Sequence, residues 1–414
     1  MTKSHLKYHF QCVNCKREYD GDALDYLCPE CAATNSADTP PKGVLKTIYD
    51  YEALVKQKVD FSLLQKTGFI DLLPINNLQS LPNLRVGLTP LYKIQDFEKQ
   101  KLPFQLYLKD DGQNPTFSFK DRASALVSAF AKEHNIETIV AASTGNAGSS
   151  LAGVCASQGQ KAIIMVPRSA PLAKLTQIMM YGAKIVPVDG SYDEAFDLSI
   201  KATEEFGWYN RNTAFNPFTI EGKKSVSFEL FADLQHRVPD RIFVPVGDGV
   251  IISGVYKGFE DLLYLGIIKK MPVIVAVQSE GSDNLVRNMA REPFEVKAAN
   301  TLADSISVDI PRNFFMAKDY LQTYGGEWLT VSDNAILDAS SLLARNTGIF
   351  SEPAAATAFA GLIHYKKTGK LPDNSINVVL LTGSGLKDIQ TVSRNLKMPV
   401  AIKPELDDLI KFLQ

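Results

Sequence analysis

Past about residue 104 the chain alternates two hydrophobic patterns. Short, mainly apolar and β-branched runs occur at FQLYLK (104–109), ETIVAAS (137–143), KAIIMVP (161–167), AKIVPVDG (183–190), RIFVPVG (241–247), PVIVAVQ (272–278) and INVVLLTG (376–383). Runs of this kind predict strands buried on both faces, as in a parallel sheet. Between them, apolar residues recur at helical spacing over 121–135, 147–159, 171–181, 191–206, 221–236, 251–265, 333–346 and 353–367. The alternation predicts a doubly wound α/β fold. So many strands exceed one comfortable sheet, so two α/β lobes with a cleft between them are expected.

Residues 1–45 break this rhythm. They form a polar, cysteine-bearing head that ends in ADTPPKGVL, where Pro-Pro and Gly mark a connector. The expected division is a head over 1–45, a large lobe over 46–120 and 216–414, and a small lobe over 121–215.

Composition narrows the class. The 414 residues are 45% hydrophobic and 22% charged, as in an ordinary globular protein. A net charge of −2 gives no basic field for nucleic acid or anionic membrane. There is no apolar run of membrane-span length and no signal-peptide pattern, so a cytoplasmic protein is expected.

Four of the five cysteines, Cys12, Cys15, Cys28 and Cys31, lie in the head as two CxxC pairs with 12 residues between the pairs. Clustered CxxC pairs read as metal ligands rather than as a disulfide framework. Four thiolates close a tetrahedral shell, so a structural zinc is expected and a catalytic metal is not. The surrounding KREYDGD mixes both charge signs, unlike a nucleic-acid-binding ribbon.

In α/β sheets ligands bind beyond the carboxyl ends of the strands. Three such ends are rich in Gly, Ser and Thr: AASTGNAGSS (141–150), PVGDGVIISG (245–254) and LLTGSGLKD (380–388). The second is neither GxGxxG, since Ile252 fills the third glycine position, nor a Walker loop. Its residues Gly247, Asp248, Gly249, Val250 and Ile251 either cradle a small phosphate at a helix N-terminus or form a tight turn without a ligand. Ser143, Thr144, Gly145 and Asn146 exceed what one helix cap needs.

With these loops in view, several segments resemble the fold-type II pyridoxal-phosphate enzymes and, among them, the threonine synthases. They are IYDYEAL (48–54), GLTPLY (87–92), LYLKDDGQNPTFSFKDR (106–122), ASTGNAGSS (142–150), YGAKIVPVDGSYDEA (181–195), NPFTIEGKKSVSFEL (216–230), VPVGDGVIISGVYKGF (244–259), SEPAAATAFAGL (351–362) and LLTGSGLKD, together with the cysteine head. The resemblance implies a tryptophan synthase β-like architecture with the cofactor, pyridoxal 5'-phosphate, in the cleft. It implies that Lys120 carries the cofactor through its amine and then acts as general base at the substrate Cα. By the same matching, Asn146 contacts the cofactor's phenolic oxygen, and Ser143, Thr144 and Gly145 take the substrate carboxylate. The 247–251 loop takes the cofactor phosphate. Thr382 meets the ring nitrogen with a neutral hydroxyl, which favours elimination and replacement over transamination. Asp121 and Arg122 read as a structural pair or cap. The family implies a small amino-acid substrate and a homodimer.

Four positions depart from the family pattern: Phe117 for glycine, Ala147 for a hydroxyl residue, Thr219 for arginine and Asp248 for asparagine. Arginine at 219 is expected to meet the phosphate of O-phosphohomoserine. Without it, Lys223 and Lys224 are the nearest cations in sequence, and Lys223 is the expected substrate contact. The expected activity is threonine synthesis from O-phosphohomoserine and water. The alternative is an ammonia-lyase acting on threonine, serine or diaminopropionate. A non-catalytic interaction protein would have no use for Lys120, Asn146 and Thr382 together.

Overall fold

A computed structural model describes residues 7–21, 26–36, 38–393, 396 and 398–414. Residues 1–6, 22–25 and 37 of the expected head lie outside the described residues. The strands form three sheets. A six-stranded sheet runs in the order Glu327–Val331, Val273–Ser279, Arg241–Pro245, Ile376–Leu381, Gln100–Asp110, Leu91–Phe97. It is parallel except for Leu91–Phe97, which pairs antiparallel at one edge. A four-stranded parallel sheet runs in the order Lys184–Val188, Lys161–Pro167, Thr138–Ala142, Tyr209–Asn210. The head is a three-stranded antiparallel sheet of Glu18–Asp20, Tyr8–Cys12 and Leu45–Tyr49. The fold is two α/β lobes plus a small head, with no described helix long and apolar enough to cross a membrane.

The strands that the apolar runs predict are the central ones. Ile376–Leu381 is buried at every position, because helices cover both faces of its sheet. Three further strands escape the pattern for physical reasons. Leu91–Phe97 and Glu327–Val331 are half-exposed edge strands and carry polar residues, and Tyr209–Asn210 is too short to show a period. The third head strand continues to Tyr49, past the connector. The apolar periodicity over 221–236 covers two helices, Phe218–Lys223 and Ser225–Asp233. The first of these packs hard against the helix Lys120–Glu133: a Cβ on Gly222 would lie 2.2 Å from the Arg122 carbonyl oxygen. Only glycine permits that approach.

Asp121 and Arg122 do not pair with each other. The Asp121 carboxylate accepts the Thr116 N–H at 2.7 Å and the Thr116 hydroxyl. The Arg122 guanidinium is fully buried and makes two forks. Nε and Nη2 donate to Asp111 at 2.6 and 2.9 Å, and Nη1 and Nη2 donate to Glu229 at 2.5 and 2.8 Å. Lys109 adds a second cation to Glu229 at 2.9 Å. These contacts tie the end of the Gln100–Asp110 strand, the start of the Lys120 helix and the Ser225–Asp233 helix into one unit.

The two cations hold the Glu229 carboxyl below its ordinary value of 4.5, at about 2, despite burial, which acts the other way. A depressed carboxyl stabilises the fold above its unfolded value, and that stability is lost as pH falls from 4.5 toward about 2. Glu229→Gln is therefore expected to lower stability at neutral pH by about 3 kcal/mol, leaving Arg122 and Lys109 undercompensated. It should also flatten the acid limb of a melting-temperature profile in that window. An unchanged acid limb would refute this assignment.

Candidate active site

Parallel strands deliver two of the three Gly/Ser/Thr loops, 141–150 and 245–254, to one cavity of about 440 Å³; the third, 380–388, does not line it. It is lined by Lys120, by 141–147 after the strand Thr138–Ala142, by 245–252 after Arg241–Pro245, and by Arg211–Thr213 after the short strand Tyr209–Asn210. Tyr192, Asp193, Lys223, the 304–310 segment and Arg312 complete the wall. Lys120, Ser143, Thr144, Gly145, Asn146, Lys223 and Gly247 to Ile251 therefore share one site. Thr382 is buried at the end of the Ile376–Leu381 strand and is not among the lining residues. It touches the Lys120 helix through its carbonyl, which accepts the Phe119 N–H at 2.8 Å.

Lys120 opens its helix and has no carboxylate at ion-pair distance among the described residues. Burial lowers its pKa from 10.5, Arg211 lowers it further, and Glu352 and Asp248 oppose the shift. The helix Val250–Tyr264 starts from Gly249, at φ +86, with no side-chain cap. Its first-turn N–H groups are left for an anion, and the helix dipole favours one. Asp248, within this loop, is driven toward its neutral form by burial, against the pull of Arg312, Lys120 and Lys223.

Lys223 is fully buried and its amine donates to the Thr219 carbonyl at 3.2 Å. Burial, Arg211 and Lys120 all lower its pKa well below the usual lysine value. Lys224 is not a second substrate cation. It is held at 2.6 Å by both Glu221 and Asp261, in a network that also takes the Tyr49 hydroxyl onto Glu221 and the Tyr51 hydroxyl onto Asp261. That network is what the IYDYEAL segment does in the fold. Of the four departures, Ala147 lines the cavity. Thr219 is buried, its hydroxyl donating to the Asn216 carbonyl at 2.8 Å. Phe117 sits at φ +70, the left-handed region that glycine occupies without strain.

Sequence reasoning did not single out Glu352, Arg211, Ser305 or Tyr192. The Asn146 amide donates to both Glu352 oxygens at 3.0 and 3.1 Å, and the Ser305 hydroxyl lies 3.3 Å from the same carboxylate. Glu352 stands in the quoted SEPAAATAFAGL, so its motif was visible but its reach to Asn146 was not. Arg211 follows a strand end, the rule that found the other loops, but a two-residue strand leaves no pattern to read.

The four head sulfurs all lie within 4.8 Å of one another, with Cys12–Cys31 at 3.8 Å and Cys15–Cys28 at 3.7 Å. Tetrahedral zinc with bonds of about 2.3 Å requires sulfur separations of about 3.8 Å, so the set fits that ion. The head is not remote from the cavity. Tyr26, inside the knuckle, stacks on Phe215 at 4.6 Å and accepts the Asn210 N–H at 3.0 Å, next to Arg211.

This assembly is that of an enzyme. It combines an amine whose pKa burial lowers, an uncapped helix N-terminus and a hydroxyl-rich loop around one cavity, and these suit the aldehyde and phosphate of pyridoxal phosphate. The pyridoxal-phosphate dependent enzyme family profile matches residues 83–383, and the chain belongs to that family, as a lyase of fold type II. Its relatives include the threonine synthase of Methanocaldococcus jannaschii, 36% identical over 413 residues, covering 98% of this chain and 99% of that one. The threonine synthase of Methanosarcina acetivorans is 33% identical over 409 residues, 97% of each chain. Among solved structures, threonine deaminase isoform 2 of Solanum lycopersicum superposes with a TM-score of 0.63 at 22% identity, over 78% of this chain and 82% of that one. Maize serine racemase gives 0.62 at 24%, over 72% and 88%. At these identities the two structures bear on the fold alone.

Covalent uptake of pyridoxal phosphate requires an unprotonated amine. With Lys120 as the acceptor, the rate at which apo-protein regains its visible absorbance should rise with pH and level off below 10.5, lysine's ordinary value. A rate still climbing above that pH would rule out a buried acceptor.

Proposed function

We propose that this lyase is a threonine synthase, converting O-phosphohomoserine and water into threonine and phosphate. The observation that carries the reading is likeness to threonine synthases along almost the whole chain, head included. In that reaction the bond from Cγ to the phosphate oxygen breaks, Cγ ends as a methyl group, and a hydroxyl from water joins Cβ. Bound pyridoxal phosphate supplies the electron sink that makes hydrogens near the amino group acidic.

The chain's own groups do the rest. Lys120, whose pKa burial lowers, moves the proton at Cα. Ser143, Thr144 and Gly145 hold the substrate carboxylate and fix the orientation of the Cα–H bond. Asn146, pinned by Glu352, meets the cofactor's phenolic oxygen, and Gly247, Asp248, Gly249, Val250 and Ile251 take its phosphate on main-chain N–H groups. Thr382 serves the ring nitrogen, supported by its junction with Phe119. Lys223, on the cavity wall, answers the charge of the leaving phosphate. Cys12, Cys15, Cys28 and Cys31 hold a structural zinc, supported by the sulfur separations. The working form is a cytoplasmic homodimer whose two lobes divide as the sequence indicates, with 121–215 as the smaller.

Cofactor-loaded protein given O-phosphohomoserine should release phosphate and threonine in equal amounts. Ammonia from serine, threonine or diaminopropionate, with no phosphate release, would replace this reading with that of a deaminase. Metal analysis should find one zinc per chain. Removing it should raise KM several-fold while leaving the covalently held cofactor in place, because Tyr26 braces the Asn210–Arg211 wall rather than Lys120. Unchanged KM after complete zinc loss would uncouple the head from the site.

A further inference from the structure

Arg211 is a buried guanidinium without an ion pair. It is 0% exposed, and no carboxylate lies at ion-pair distance from it among the described residues. Nε donates to the Ser124 hydroxyl at 3.1 Å and Nη1 to the Thr213 hydroxyl at 3.0 Å, while Nη2 has no hydrogen-bond partner. The same residue lines the cavity that holds Lys120 and Lys223. An unpaired buried charge is costly, so a fold retains one where a ligand completes it.

We propose that Arg211 binds the phosphate of the substrate, supplying from the end of the Tyr209–Asn210 strand the guanidinium that Thr219 does not provide. The inference rests on the threonine synthase reading. Under that reading the cavity must hold three anionic groups. The uncapped helix N-terminus at Gly249 suits the cofactor phosphate, and the Ser143–Asn146 loop suits the substrate carboxylate. The substrate phosphate is left over, and Arg211 is left over on the protein side. The nearby carboxylate of Asp121 is already engaged by Thr116.

The other guanidinium in the cavity wall, Arg312, is already committed. It pairs with Asp193 and stacks 3.9 Å over the Phe196 ring. Lys223 assists but does not replace a fork. Burial and its neighbours favour its neutral form until an anion arrives, whereas Arg211, lowered by burial only to about 10, is charged at neutral pH. A planar guanidinium also selects an oxyanion by geometry, which an ammonium does not.

The test uses the cofactor-loaded enzyme with Arg211→Gln and Arg211→Lys. Inorganic phosphate, a product of the reaction, is the binding probe. Losing charge-assisted contacts should raise KM for O-phosphohomoserine and the inhibition constant of inorganic phosphate by about tenfold to a hundredfold in Arg211→Gln. Arg211→Lys should recover part of both, because it restores charge without the fork. Visible absorbance of the cofactor should be unchanged in both variants. Phosphate should raise the melting temperature of the wild-type holoenzyme more than that of Arg211→Gln. Both constants within twofold of wild type would overturn the proposal. So would loss of the cofactor chromophore, which would assign Arg211 to the cofactor's own phosphate. Failure of the parent reading is seen separately, as absence of phosphate release by the wild-type enzyme. The phosphate melting shift then decides Arg211 without turnover, and equal shifts in wild type and Arg211→Gln would overturn it.

Discussion

The double fork of Arg122 is the contact on which the site depends. One guanidinium, wholly out of water, satisfies two carboxylates from different parts of the chain, Asp111 and Glu229. Desolvating three charges is recovered only when every donor and oxygen is engaged, so the geometry has little freedom. That rigidity passes to the neighbour two residues back. Lys120 inherits a fixed position at the start of its helix without an ion pair of its own, which keeps its amine reactive.

Pairing separates structural from functional cations throughout the interior. Arg122, Lys109, Lys224 and Lys257 are buried and each meets carboxylates. They join helices to sheets, and the Lys224 network ties the last head strand and the residues just after it to the helices Phe218–Lys223 and Val250–Tyr264 through Tyr49 and Tyr51. Lys223 and Arg211 are fully buried, Lys120 is half-buried, and none of the three has a carboxylate at ion-pair distance among the described residues. Burial lowers the proton affinity of all three, Arg211 lowers that of both lysines and Lys120 that of Lys223, and the set gathers on one cavity. A group of mutually repelling cations is stable only in a fold held together elsewhere, and it is prepared for anionic ligands.

The head enters this arrangement from outside the two lobes. Tyr8 and Phe10 pack on Phe218, and Tyr26 packs on Phe215, so the head grips both ends of the Phe215–Phe218 stretch. The helix that carries Thr219 and Lys223 begins there. The cysteine-bearing head thereby braces the Lys223 side of the cavity wall through aromatic contacts.

Much was legible in the sequence alone. Buried parallel strands leave unbroken apolar runs, so the central strands and the alternation of the two lobes were visible. Strand ends then pointed to Ser143–Asn146 and Gly247–Ile251, which line the cavity, and to the loop after Ile376–Leu381, which does not. The CxxC spacing sets the four sulfurs, since so short a loop keeps them close. The tertiary structure decided the rest. Edge strands carry mixed patterns because one side faces water, and a two-residue strand carries none, so Arg211 stayed hidden. Lys223 and Lys224 are adjacent and chemically identical in the sequence. Only packing turns one toward carboxylates and the other toward the cavity, because which charges a lysine meets is settled by residues far away in the chain.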